Sequence, residues 1–81
     1  MEEVLKSREY VRQYELFLER LRRAREDAGL TQLEVSAQLG RPQSFISKCE
    51  SGERRVDFVE LQVLASIYGK PLRYFASDSA R

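Results

Sequence analysis

The segment from Leu30 to Gly52 constrains the fold more than any other part of the chain, because its cap and turn residues follow in a fixed order. Thr31 and Glu34 form a capping-box pattern, which predicts the start of a helix. Gly40 tolerates positive φ, and Pro42 fits the first turn of a following helix, which the closing glycine ends. The segment therefore predicts two short helices joined by a turn.

The second of these helices has two faces of different chemistry. Its core-facing positions are predicted to be Ile46 and Cys49, and those of the preceding helix Val35 and Leu39. The opposite face carries polar side chains that are short or flexible, namely Gln43, Ser44, Ser47 and Lys48. Such side chains hydrogen-bond base edges in the major groove, into which one helix fits. An ordinary solvated face is the alternative, but the ordered cap and turn signals favour DNA.

Residues 14–76 resemble the helix-turn-helix domain of the phage-repressor and Cro (Xre-type) family. The resemblance is carried by Gly29-Leu30-Thr31-Gln32, by Leu39-Gly40, and by Gln43 through Lys48 followed by Glu50-Ser51-Gly52-Glu53-Arg54. It implies an all-α, five-helix repressor-like domain in which the third helix, from about Gln43 to Ser51, lies in the major groove. In this chain the first helix is extended at its N-terminus.

The resemblance also implies a role for each residue of the site. The base contacts would be Gln43, Ser44, Ser47 and Lys48. The contacts with the DNA backbone would be Gln32, which also braces Gln43, together with Phe45, Arg41, Arg54 and Arg55. Arg25 and Glu50 match a partly buried ion pair that fixes the reading angle. For Arg25 the alternative is a solvated surface arginine.

The remaining helices are predicted from apolar spacing and caps. A long first helix runs from about Arg8, after the cap Ser7, to Ala28. Asp57 and Glu60 repeat the capping-box pattern and open a fourth helix, and Pro71 begins a short last one. We expect residues 1–13 to be an extension, 14–76 the domain and 77–81 a tail.

Composition excludes several classes of function. The chain has 81 residues, no His and one Cys, so a zinc site, a Ser-His or Cys-His nucleophile pair and an internal disulfide are not expected. We therefore predict no enzyme activity, no metal and no cofactor. Cys49 is expected to be a small buried hydrophobe rather than a reactive thiol. The absence of a signal peptide or long apolar run favours a cytoplasmic protein without membrane contact.

The positions of the charged residues indicate which kind of partner the chain binds. Net charge is only +1, yet Arg41, Lys48, Arg54 and Arg55 make the predicted binding face positive, while acidic residues from 57 to 60 are expected to lie away from it. Double-stranded DNA is the expected partner, bound weakly by a monomer.

A homodimer would place two recognition helices about one DNA turn apart on a palindromic operator. Its expected surface combines aromatic and apolar residues of both chain ends that together exceed what one small core needs, namely Tyr10, Tyr14, Phe17, Leu72, Tyr74 and Phe75. The alternative is that the N-terminal extension is a longer amphipathic helix that covers the small core of one chain.

Together with the polar face of the third helix, the resemblance implies a transcriptional regulator of bacterial or phage type, by default a repressor. A regulatory protein that controls it is a further candidate partner. The alternative is a protein-interaction module or an antitoxin-type partner-binding protein, with Leu33, Phe45 and the N-terminal helix as the contact.

Overall fold

The computed structural model describes residues 7–76, and within them the chain is helical without strands. The helices are α1 (Arg8–Asp27), α2 (Gln32–Gln38), α3 (Phe45–Ser51) and α4 (Phe58–Tyr68), followed by a 3₁₀ helix (Leu72–Phe75). The prediction of an all-α fold is confirmed, but the count of five α-helices is wrong. The last element has only four residues, a length at which the tighter 3₁₀ geometry is common.

The predicted helix starts are confirmed by the hydrogen bonds of their caps. Ser7 accepts from the backbone N–H of Tyr10, and Thr31 with Glu34 forms a complete capping box at α2. Asp57 with Glu60 does the same at α4. The N-terminal extension is therefore helical from residue 8 onward, while residues 1–6 and the predicted tail 77–81 lie outside the described residues.

The third helix begins two residues later than predicted, at Phe45 instead of Gln43. Pro42 lies outside the helix, and its carbonyl accepts a hydrogen bond of 2.9 Å from the N–H of Phe45. That bond closes a turn over residues 42–45, so Gln43 and Ser44 are presented by the turn and Ser47 and Lys48 by the helix. At its other end Gly52 takes φ +86°, which favours glycine.

One core joins the four α-helices and the 3₁₀ helix. Its buried members are Leu21, Ala24, Val35, Ile46, Leu64, Ala65, Tyr68 and Phe75. Cys49 is also buried, and burial raises the pKa of its thiol, so the sulfur stays protonated and packs as a small hydrophobe. Helix α1 contacts α3, α4 and the 3₁₀ helix, which makes it the support against which α3 is held.

The aromatic residues of the two chain ends pack against one another in a single row. Successive ring centroids of Tyr10, Tyr14, Phe17, Phe75 and Tyr74 are separated by 6.1, 5.4, 6.5 and 5.3 Å. Five of the six residues expected at the dimer surface therefore pack against one another within one chain, while the sixth, Leu72, stays exposed. No helix within residues 7–76 is long and apolar enough to span a membrane.

Candidate nucleic-acid interface

The four predicted base-contacting side chains lie together on the outer surface around the start of α3. Gln43, Ser44, Ser47 and Lys48 are all exposed. The first three line an open depression of about 620 Å³, and its other wall is the start of α2 with Thr31, Gln32 and Leu33. Leu33, which is expected to contact a protein partner in the alternative function, therefore borders the same surface as the polar row.

Ser36 holds the start of α3 from a neighbouring helix. The N-cap of α3, Ser44, makes no side-chain capping bond. Instead the Oγ of Ser36, fully buried in α2, accepts from the N–H of Ile46 at 3.2 Å and donates to the carbonyl of Gln43 at 3.4 Å. An amide of the first turn of α3 is thus satisfied by α2, which fixes where α3 begins.

Arg25 and Glu50 form the predicted ion pair, which joins α1 to the end of α3. The Nε and Nη2 of Arg25 donate to the two carboxylate oxygens at 2.7 and 3.1 Å. The side chains are only 11% and 6% exposed, so the alternative of a solvated arginine is wrong. The hydrogen bonds with Glu50 raise the pKa of Arg25.

Two further hydrogen bonds connect this pair to the linker between α1 and α2, residues 28–31, and to α2 itself. The Nη1 of Arg25 donates to the carbonyl of Leu30 at 2.9 Å, and the amide of Gln32 donates to Glu50 at 2.9 Å. Among the described residues Gln32 makes no hydrogen bond to Gln43, so the predicted bracing of Gln43 is not formed. The end of α3 is tied instead to the start of α2.

Arg54 is engaged by the protein itself. Its Nη1 and Nη2 donate to the carboxylate of Glu60 at 2.9 and 2.7 Å, and its guanidinium lies 4.8 Å from the ring centroid of Phe45. These hydrogen bonds lower the pKa of Glu60. The expectation that residues 57–60 lie away from the binding face is therefore wrong for Glu60, which neutralises one of the predicted phosphate contacts.

Phe45 is covered by two cations rather than left open. Arg41 lies 5.2 Å from its ring centroid, and Arg54 contacts the same ring. The ring also packs partly against the core, so it lies between the core and these two arginines.

Arg55 is exposed and lies against the rings of Tyr10 and Tyr14. In the described part of the chain, Arg41, Lys48 and Arg55 take part in no ion pair, so the free positive charge of this face comes from these three side chains. No local spacing in the sequence signals the capping contact of Ser36 or the contacts of Tyr10 and Tyr14 with Arg55.

We expect Ser36→Ala to lower the free energy of unfolding by about 1–3 kcal/mol, because it leaves the buried N–H of Ile46 without an acceptor. Urea denaturation measures this change. Ser66→Ala, the same substitution at an exposed position of α4, is the matched control and should stay within about 0.5 kcal/mol of the parent protein. Equal effects of the two substitutions would contradict the capping role of Ser36.

We expect Arg25→Ala to cost about 3 kcal/mol of unfolding free energy, because Glu50 would stay buried without its cation. Arg23→Ala removes an exposed arginine from the same helix and serves as the control. Thermal or urea denaturation of both variants measures the difference. A loss below about 0.5 kcal/mol for Arg25→Ala would show that the pair contributes no more than a surface ion pair.

The comparisons with known proteins agree with this architecture. A family model described as a helix-turn-helix domain matches residues 16–72, which cover all four α-helices except the first turns of α1. Neither the curated proteins nor the solved structures give a match.

Proposed function

We propose that this chain, which belongs to the helix-turn-helix domain family, is a sequence-specific DNA-binding transcriptional regulator that represses by occupying its operator. The observation that carries the proposal is the exposed row of Gln43, Ser44, Ser47 and Lys48, whose backbone is fixed from behind by buried polar contacts. With DNA as the proposed target and a bacterial or phage setting, the location that we propose is the cytoplasm.

The chemistry of this row fits base edges. A glutamine amide can bond adenine through two atoms, serine hydroxyls both donate and accept, and a lysine ammonium reaches guanine O6 and N7 or a phosphate. Gln43 and Ser44, on the turn before α3, would enter the groove first. Lys48 lies one turn of helix further along and would reach either a base or the backbone.

The contacts with the DNA backbone divide into two groups. Arg41 and Arg55 are exposed and form no ion pair within residues 7–76, so we propose them as phosphate contacts. Gln32 retains its amide oxygen and lies at the rim of the depression, where a phosphate would pass. For Arg54 and Phe45 we propose a supporting role, because each is already engaged by neighbouring side chains.

A second copy of the chain is the partner that a palindromic operator requires. The exposed apolar face of α4 offers a surface for it, since Phe58, Val59 and Val63 are 63%, 65% and 43% exposed. Val59 and Val63 also line a groove of about 240 Å³ whose floor includes Phe45 and Leu64. We therefore propose a two-fold dimer contact through α4 in place of the chain ends.

Selection of bound sequences from a random duplex pool at near-physiological salt tests the proposal. We expect a palindromic motif with half-sites about one helical turn apart. Gln43→Ala/Lys48→Ala removes two of the proposed base contacts, so the motif should disappear while the fold, checked by circular dichroism, stays intact. Enrichment of the same motif by this variant would contradict the assignment of the reading residues.

The second candidate function is a protein-interaction module, and the exposed apolar face of α4 is the observation that favours it. Protein-binding surfaces centre on apolar and aromatic anchors, whereas the start of α3 presents polar groups. A selected pool without sequence preference, combined with a monomer in solution, would favour this function over DNA binding.

Sedimentation of three single variants tests the dimer and locates its surface. We expect Val59→Glu to convert a dimer at tens of micromolar into a monomer, because it buries an unpaired carboxylate in the α4 contact. Val11→Glu on α1 and Leu72→Glu on the 3₁₀ helix place the same charge at exposed apolar positions elsewhere and should leave the dimer intact. If Val11→Glu or Leu72→Glu abolishes the dimer instead, the interface lies at the N-terminal or the C-terminal end of the chain, respectively.

A further inference from the structure

We propose that Tyr10 and Tyr14 are positioning residues that hold Arg55 ready for a DNA phosphate. The proposal rests on the DNA-binding function argued above and assigns a role to a part of the chain that precedes the helix-turn-helix match, which begins at residue 16. The first turns of α1 would then tune DNA affinity without touching DNA.

The two tyrosines hold adjacent residues of the loop that follows α3. The Nη1 of Arg55 donates to the hydroxyl of Tyr10 at 2.6 Å, and its guanidinium carbon lies 4.6 Å from the ring centroid of Tyr14. The hydroxyl of Tyr14 in turn accepts from the backbone N–H of Val56 at 3.3 Å. Both a side chain and the adjoining backbone of the loop are thus attached to α1.

The tyrosines are connected to the core through a row of aromatic contacts. Ser7 caps α1 by accepting from the N–H of Tyr10 at 3.0 Å, which places that residue in the first helical turn. Tyr14 lies one turn later, so the two rings stack on the same face of α1. Tyr14 contacts Phe17 edge-on, and Phe17 contacts the buried Phe75. A displacement of Tyr14 would therefore disturb a row of ring contacts that ends at the buried Phe75.

The start of the loop also approaches α1 closely. A Cβ atom on Gly52 would lie 3.0 Å from the Cδ1 of Leu18, and the backbone φ of +86° already requires glycine at this position. Glycine thus lets the chain leave α3 directly against α1. Arg55 is brought within reach of Tyr10 and Tyr14 by this close approach.

The type of contact leaves the charge of Arg55 available. Arg54, its neighbour, is neutralised by the carboxylate of Glu60. A tyrosine ring attracts a cation without neutralising it, and the hydroxyl of Tyr10 uses only one of the N–H donors of the guanidinium. Arg55 is exposed, so its remaining donors can meet a phosphate placed beside the loop.

Holding the side chain in advance lowers the entropy lost when it binds phosphate. Because phosphates carry no sequence information, the gain should be the same on every duplex. From the ordering cost of one long side chain, the gain in affinity is about two- to tenfold.

Tyr10→Phe tests the proposal, because it removes the hydrogen bond to Arg55 and keeps the ring. We expect the dissociation constant to rise about two- to tenfold on both specific and non-specific duplexes, with the salt slope unchanged since the charge remains. Arg55→Ala should lower that slope by about one unit. Adding Tyr10→Phe to Arg55→Ala should change nothing further.

Tyr74→Phe is the matched control, because the hydroxyl of Tyr74 is buried without a hydrogen-bond partner among the described residues, and its ring contacts Phe75 and Lys70. It should leave the affinity unchanged. A readout without DNA is the heteronuclear NOE of the Arg55 Nε–H group, which should fall in Tyr10→Phe and stay unchanged in the control.

The outcomes separate the two proposals. If the parent protein binds no duplex, the proposed function fails, and this inference fails with it. If the parent binds and Tyr10→Phe binds equally well or more tightly, only the positioning role is overturned. If Tyr10→Phe weakens binding as much in the Arg55→Ala variant as in the parent protein, the positioning role is also overturned, because the hydroxyl of Tyr10 would then act without Arg55.

Discussion

The buried ion pair between Arg25 and Glu50 is the interaction on which the rest of the binding surface depends. Because both charges are nearly withdrawn from water, each needs the other, and their bidentate geometry admits one relative placement of α1 and the end of α3. Through Leu30 and Gln32 the same pair also fixes the linker and the start of α2. The orientation of α3 follows from this network.

Helix α3 has only seven residues and is too short to be stable alone, so hydrogen bonds and packing with other helices must stabilise it. Ser36 satisfies an amide of its first turn, and Glu50 anchors its last turn. Ile46 and Cys49 bury its inner side, which leaves the polar row outside. Each end of α3 is therefore held by a polar contact with another helix. Which of its side chains face solvent is decided by these contacts and not by α3 alone.

The positive charge of the candidate DNA-binding face depends on which basic side chains form ion pairs and not on the net charge of the chain. Of the basic residues expected to contact DNA, Arg54 is neutralised by Glu60, while Arg41 and Arg55 lie against aromatic rings and keep their charge. Aromatic contacts thus hold two of the cations that remain available, and the carboxylate of Glu60 neutralises a third. A chain with a net charge of +1 can present a positive face in this way.

The sequence by itself determined the features that depend on neighbours three or four residues apart. The capping boxes at Thr31 and Asp57 were predicted correctly for that reason, and the match to a known motif anticipated the Arg25–Glu50 pair. The start of α3 was misplaced because its amides bond to Ser36 and to a turn.

Only the tertiary structure decided which cations stay free and which residues hold them. The bond between Arg55 and Tyr10 joins residues 45 positions apart, and no local spacing encodes it. The pairing of Arg54 with Glu60 spans six residues and was hidden because Glu60 was recognised only as a cap. Such contacts form when packing brings separate elements together, so they depend on the whole fold and not on the pattern of any one segment.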